Sequence, residues 1–119
     1  MNYFTYKELE CPCFRCKGKN THEKFDKYTL RWLNYYRKKL GFPLPVTSGY
    51  RCKAHDTEIG GKGVHPKGTQ VDISKRKMTA RQKYKFIVAM AKSKVFTRLG
   101  LTYKNHYHIG TGKPKEVSW

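Results

Sequence analysis

Two groups of side chains in the sequence have the chemical types to hold a metal ion. His65, Asp72, His106 and His108 supply imidazole nitrogen and carboxylate oxygen, while Cys11, Cys13, Cys16 and Cys52 supply sulfur. Three nitrogen or oxygen donors with an open fourth position make the hydrolytic type of zinc site, in which the metal lowers the pKa of a water and polarises a carbonyl. Four sulfurs make the closed, structural type. The same cysteines also suit disulfides or free thiols, and their spacing leaves all three states open. Carboxylates are scarce: Glu8, Glu10, Glu23, Asp26, Asp56, Glu58, Asp72 and Glu116 are the full set, so any acid with a chemical role is among them.

The elements that must position these residues follow from the hydrophobic pattern. His106–Gly110 reads as a strand, and residues two apart on a strand share a face, so His106 and His108 point the same way. Gln70–Ile73 also reads as a strand, with Val71 and Ile73 on one face and Asp72 on the other. If the two strands are neighbours, Asp72 stands beside His108, and His65 reaches in from a loop rich in glycine (Gly60, Gly61, Gly63, Gly68). A hairpin partner is expected over Arg98–Tyr103, turning through Lys104–Asn105. Pro45–Ser48 is a short extended run; Gly49–Cys52 leads from it into the glycine-rich loop, which also carries Asp56 and Glu58.

Three helical segments complete the reading. The capping box Thr5–Glu8, with Phe4 and Leu9 as its staple, opens one turn. A helix is expected from about Glu23 to Leu40, burying Leu33, Tyr36 and Leu40 with Leu30 and Trp32 beside them, and stopping at Gly41. A second capping box, Thr79–Gln82, opens a helix ending near Ser93, with Tyr84, Ile87, Val88 and Ala91 as its apolar face. Cys11–Asn20 reads as a loop. The sum is one α+β domain over residues 1–119, a small antiparallel sheet with helices packed on it.

Lys and Arg number 26 against 8 acids, a formal charge of +18. Such a field attracts polyanions: nucleic acid, teichoic acids, acidic peptides or an anionic membrane. No run approaches the ~20 apolar residues of a membrane span. Met1–Tyr6 lacks the basic and apolar regions of a signal peptide, so synthesis in the cytoplasm is expected. Basic residues interleaved with tyrosine would also suit a non-catalytic, zinc-stabilised protein that binds nucleic acid. That alternative accounts for the charge and for none of the histidine or glycine spacing.

Ser48-Gly49-Tyr50-Arg51, Gly60-Gly61, His65-x-x-Gly68-x-x-x-Asp72 and His106-x-His108 together resemble the zinc D-Ala-D-Ala carboxypeptidases and L-alanyl-D-glutamate endolysins. These share a superfamily with lysostaphin-type endopeptidases and hedgehog domains. Phe4–Cys11 resembles the family's usual opening, and the cysteines at 11, 13, 16 and 52 also occur in its phage-type members. The resemblance implies a hedgehog-like fold, Zn2+ held by His65, Asp72 and His108, and a substrate drawn from peptidoglycan peptides. It makes Arg51 the cation facing the substrate carbonyl or developing oxyanion, needed for turnover and not for folding, with Ser48 and Tyr50 beside the substrate. Asn105 stands where some relatives place a catalytic Glu, and an amide cannot act as a base. His106 is therefore expected to move the proton, with Asp56 and Glu58 as rivals. Gly110 stands where many relatives have Asp. A hedgehog-like protein that keeps zinc but only binds is a third reading. A monomer is expected, attracted by anionic wall polymers rather than nucleic acid, acting on the wall after release as a phage lysin does.

Overall fold

The computed structural model describes residues 2–61 and 63–112, together with the backbone of Val117–Ser118. Glu116 lies outside the described residues. The expected opening is in place. Thr5 caps α1 (Tyr6–Leu9) in a reciprocal capping box with Glu8, and Phe4 and Leu9 are both buried. The Glu8 carboxylate also accepts from the Val46 N–H at 2.9 Å, tying α1 to β1 (Val46–Ser48).

Helix α2 runs Lys27–Leu40, later than expected at its start. Thr21–Lys24 forms a separate 3-10 turn, and the Asp26 carboxylate accepts from the Thr29 N–H. A side-chain acceptor at Asp26 satisfies an otherwise orphaned helix N–H, which fixes the helix start there. Gly41 ends the helix in the left-handed conformation, as expected. The loop expected to carry Asp56 and Glu58 is in part helical: α3 (Lys53–Glu58) begins at Cys52, whose sulfur accepts from the His55 N–H.

Helix α4 (Ala80–Lys92) has the expected box between Thr79 and Gln82, but a different buried face. Phe86 and Met90 are buried, Ile87 and Ala89 pack beside them, and Tyr84 is mostly exposed. Residues 86–91 are all apolar, so more than one helical stripe fits the period; the larger Phe86 and Met90 side chains remove more area from water and set the rotation.

The sheet has the order β1-β2-β4-β3-β5, with β2 at Gln70–Ser74, β3 at Arg98–Gly100, β4 at His106–Gly110 and β5 at Val117–Ser118. The first four strands pair antiparallel, and β5 joins β3 in parallel, a pairing absent from the sequence reading. Strand β3 stops at Gly100, short of the expected Tyr103, whose ring turns to stack on His106. Val71, Ile73, Tyr107 and Ile109 bury one face of the central strands against Leu33, Phe86, Met90 and Phe96, with the Phe86 ring stacked on Tyr107. The alternation leaves Gln70, Asp72, Ser74, His106, His108 and Gly110 on the opposite face. Among the described residues, no helix is long and apolar enough to cross a membrane.

Candidate active site

The β2–β4 register puts Asp72 directly opposite His108, with Ser74 opposite His106 two pairs further along and so on the same face. His65 enters from a 3-10 turn, His65–Lys67, that ends at Gly68 with φ +73°. A side chain at Gly68 would strain that conformation and run into the Lys24 carbonyl, which explains the glycine three residues after the histidine. Sheet and turn together bring donor atoms of His65, Asp72 and His108 within 4.8 Å of one another.

Each imidazole is tied from behind. His65 Nδ1 donates to the Gly49 carbonyl at 2.9 Å, because a carbonyl can only accept; this leaves the Nε2 lone pair facing Asp72 Oδ1 at 3.6 Å. His108 Nε2 donates to Gln70 Oε1 at 2.9 Å, and its Nδ1 lies 3.0 Å from Asp72 Oδ1. The orientation of the Gln70 amide is set by its own nitrogen, which donates to the Thr111 carbonyl and the Thr69 hydroxyl. Two lone pairs therefore converge on one carboxylate. Acceptors facing each other at such distances repel unless a cation lies among them, and a tetrahedral zinc with bonds of about 2.0–2.1 Å would separate its donors by about 3.3 Å. The donor set fits the metal. Burial by itself would push the Asp72 carboxyl up; with protons on the facing His108 and His65 nitrogens, their hydrogen bonds and charge outweigh it and hold the group well below the usual carboxylate range, and a metal ion would take the place of those protons. Asp72 is thus an anion, as a ligand must be.

His106 Nε2 lies 3.8 Å from Asp72 Oδ1 on the same sheet face, its ring stacked on Tyr103 at 4.7 Å between centroids. One-third of its side chain is open to solvent (33%), against 5% for His65 and 16% for His108. Arg51 closes the other side. Its Nη1 donates to Asp56 at 2.7 Å, and its Nη2 donates to Ser48 at 2.7 Å and stands 3.9 Å from Asp72 Oδ2.

The sequence matches the family model for peptidase M15 over residues 2–110. The chain belongs to the peptidase M15 family. This is the zinc D-Ala-D-Ala carboxypeptidase family to which the residue pattern pointed, and the match takes in both histidine motifs. The chain finds no match among curated proteins.

Within this M15 chain the rivals to His106 are occupied elsewhere. Asp56 is buried, one oxygen held by Arg51 and the other by the Gly63 N–H at 2.9 Å. Glu58 sits on the outer side of α3, paired with Arg15. Tyr50 is buried in the core with the Lys24 ammonium over its ring, and Ser48 accepts from Arg51. The remaining histidines stand apart: His22 stacks on Tyr6, and His55 lies on α3. Gln70 escaped the sequence reading except as a strand residue. Its signal was position: two before Asp72 on one strand, hence on the same face, and opposite Gly110. A side chain at 110 would collide with the Gln70 amide, so Gly110 leaves the space in which that amide sits.

Proposed function

We propose that this M15 peptidase hydrolyses peptide bonds in the stem peptides of bacterial peptidoglycan, with Zn2+ held by His65 Nε2, the Asp72 carboxylate and His108 Nδ1. One observation carries the reading. Two imidazoles, each fixed from behind by a hydrogen bond, turn their lone pairs on a single half-buried carboxylate in a chain of this family. When bound, the zinc polarises the scissile carbonyl and makes a water nucleophilic near neutral pH.

The chain's own residues do the rest. His106, the most open of the three imidazoles and anchored by Tyr103, accepts the proton of the attacking water and returns it to the leaving amine. Arg51, held rigid by Asp56 and Ser48, sets a fixed positive charge beside the site, where the carbonyl oxygen becomes negative. Ser48 orients that guanidinium, and Tyr50 supports the wall from the core rather than touching substrate. The formal charge of +18 concentrates the protein on anionic wall polymers, as suits a lysin acting on the wall after release.

Mass analysis of purified peptidoglycan treated with the protein tests this. Loss of a terminal alanine from the stem marks a carboxypeptidase; separation of the stem from its neighbours marks an endopeptidase. Both should stop on chelation and return with zinc. An unchanged digest under all conditions would refute the reading.

A further inference from the structure

The four cysteines lie far from the histidine cluster in the chain's logic but not in its consequences. Cys11 and Cys13 follow α1, Cys16 ends the 3-10 turn Phe14–Cys16, and Cys52 caps α3. All four thiols are free, and their sulfurs lie within 4.8 Å of one another. Cys11 Sγ is 3.5 Å from Cys13 Sγ, which is 3.6 Å from Cys52 Sγ. A disulfide would hold two sulfurs at about 2.05 Å. A zinc ion with four sulfurs at about 2.3 Å would instead set a tetrahedron edge of about 3.8 Å. The observed separations match the edge and not the bond.

The setting suits a closed centre. Cys11 and Cys13 are buried among apolar side chains, where a lone thiolate would be costly and a bound cation would offset its charge. The His55 N–H points at Cys52 Sγ at 3.4 Å, the kind of backbone donor that stabilises a ligating sulfur. The Cys16 N–H donates to the Cys13 carbonyl and the Cys11 N–H to the Thr21 hydroxyl, which holds the loop in the shape that gathers the sulfurs.

We propose that Cys11, Cys13, Cys16 and Cys52 form a second metal centre, a closed tetrathiolate zinc site that braces the catalytic wall. Binding replaces the four thiol protons, which pass to solvent, with one divalent ion. Four protein donors leave no open position, so the centre is structural. What it braces is specific. Cys52 directly follows Arg51 and caps the helix whose Asp56 holds that arginine. Next to them, the Tyr50 N–H donates to the Leu9 carbonyl at 2.9 Å, and the Gly49 carbonyl orients His65. The metal would clamp the segment after α1 onto the stretch that supplies both Arg51 and the His65 anchor.

The test is metal content of the full chain purified with a reductant. Wild type should carry about two zinc ions per chain, and a His65→Ala/His108→Ala variant about one. Cobalt substituted into that variant should give thiolate-to-metal charge-transfer absorption, which nitrogen and oxygen ligands do not produce. Adding Cys13→Ser and Cys52→Ser should remove both the ion and the band. If that variant fails to fold, alkylation of native wild type followed by mass analysis decides: the thiols should be protected until a strong chelator is added. A His65→Ala/His108→Ala variant free of zinc, a cobalt spectrum lacking thiolate bands, or thiols that react equally with and without chelator would each overturn the proposal.

Discussion

The histidine–carboxylate cluster rests on two paired strands and a short turn, whereas the cysteine cluster rests on a loop, a 3-10 turn and a helix cap. The first has three donors of mixed type around a partly open face; the second has four donors of one type, two of them buried. The difference teaches how one small chain separates chemistry from support. Strand pairing fixes donor positions through backbone register, so the open side can be left for substrate without loss of geometry. Sulfurs on irregular segments have no such frame, and the proposed metal has to provide it.

The largest effect expected is on the first cluster. His65→Ala or His108→Ala should remove its metal and reduce peptide hydrolysis to background while leaving the cysteine-bound ion in place. Full metal occupancy in both variants would erase the distinction between the clusters. His106→Ala should keep both ions yet lower the hydrolysis rate about 10²–10⁴-fold, the usual worth of a general acid–base group. Near-normal rates in that variant would move proton transfer elsewhere.

Arg51 stands between the clusters. Removing its charge should cost about 10²–10³-fold in rate, as loss of an oxyanion donor does. The expectation that its loss spares the fold needs correction, because Asp56 is only 3% exposed and bonded to it. Arg51→Ala strands that carboxylate, at a cost of about 3–5 kcal/mol. Denaturant unfolding of Arg51→Ala against Arg51→Ala/Asp56→Asn should therefore show the double variant recovering stability but not rate.

Gln70→Ala should weaken metal binding at the first cluster about 10–100-fold, since the amide fixes the His108 ring and its tautomer. Metal titration reads this directly, and the cysteine centre should be unaffected. The smallest effect is ionic. Lysis of whole cell walls should fall as salt rises, because the Debye length shrinks from about 8 Å at physiological strength to about 3 Å at 1 M. Cleavage of a short soluble peptide should change much less.

The regular parts of the molecule were the legible ones. Period-two alternation gave the strand faces that carry Asp72 and His108, which the pairing of β2 with β4 brings together, and capping boxes located α1 and α4. What escaped were features set by contacts between distant segments. The Gln70–His108 bond depends on the space at Gly110, which no local pattern announces. The start of α2 depended on Asp26 acting as cap, and the rotation of α4 on which apolar stripe the sheet accepts. Arg51 was recognised as a charge near the site, but its hold on Asp56 arises from α3, a helix hidden in a stretch that reads as loop. The strand Val117–Ser118, only two residues long, has too little sequence for a period to appear.

The central claim is that hydrolysis runs on the metal held by His65, Asp72 and His108. Its most direct test is zinc titration of chelator-treated protein, following bound metal and peptidoglycan cleavage in the same sample, for wild type and His108→Ala. In wild type, cleavage should appear with the zinc that fills the histidine cluster; in His108→Ala, zinc should still bind at the cysteines while cleavage stays at background. Cleavage by His108→Ala at the wild-type rate, or by wild type stripped of all metal, would contradict the claim.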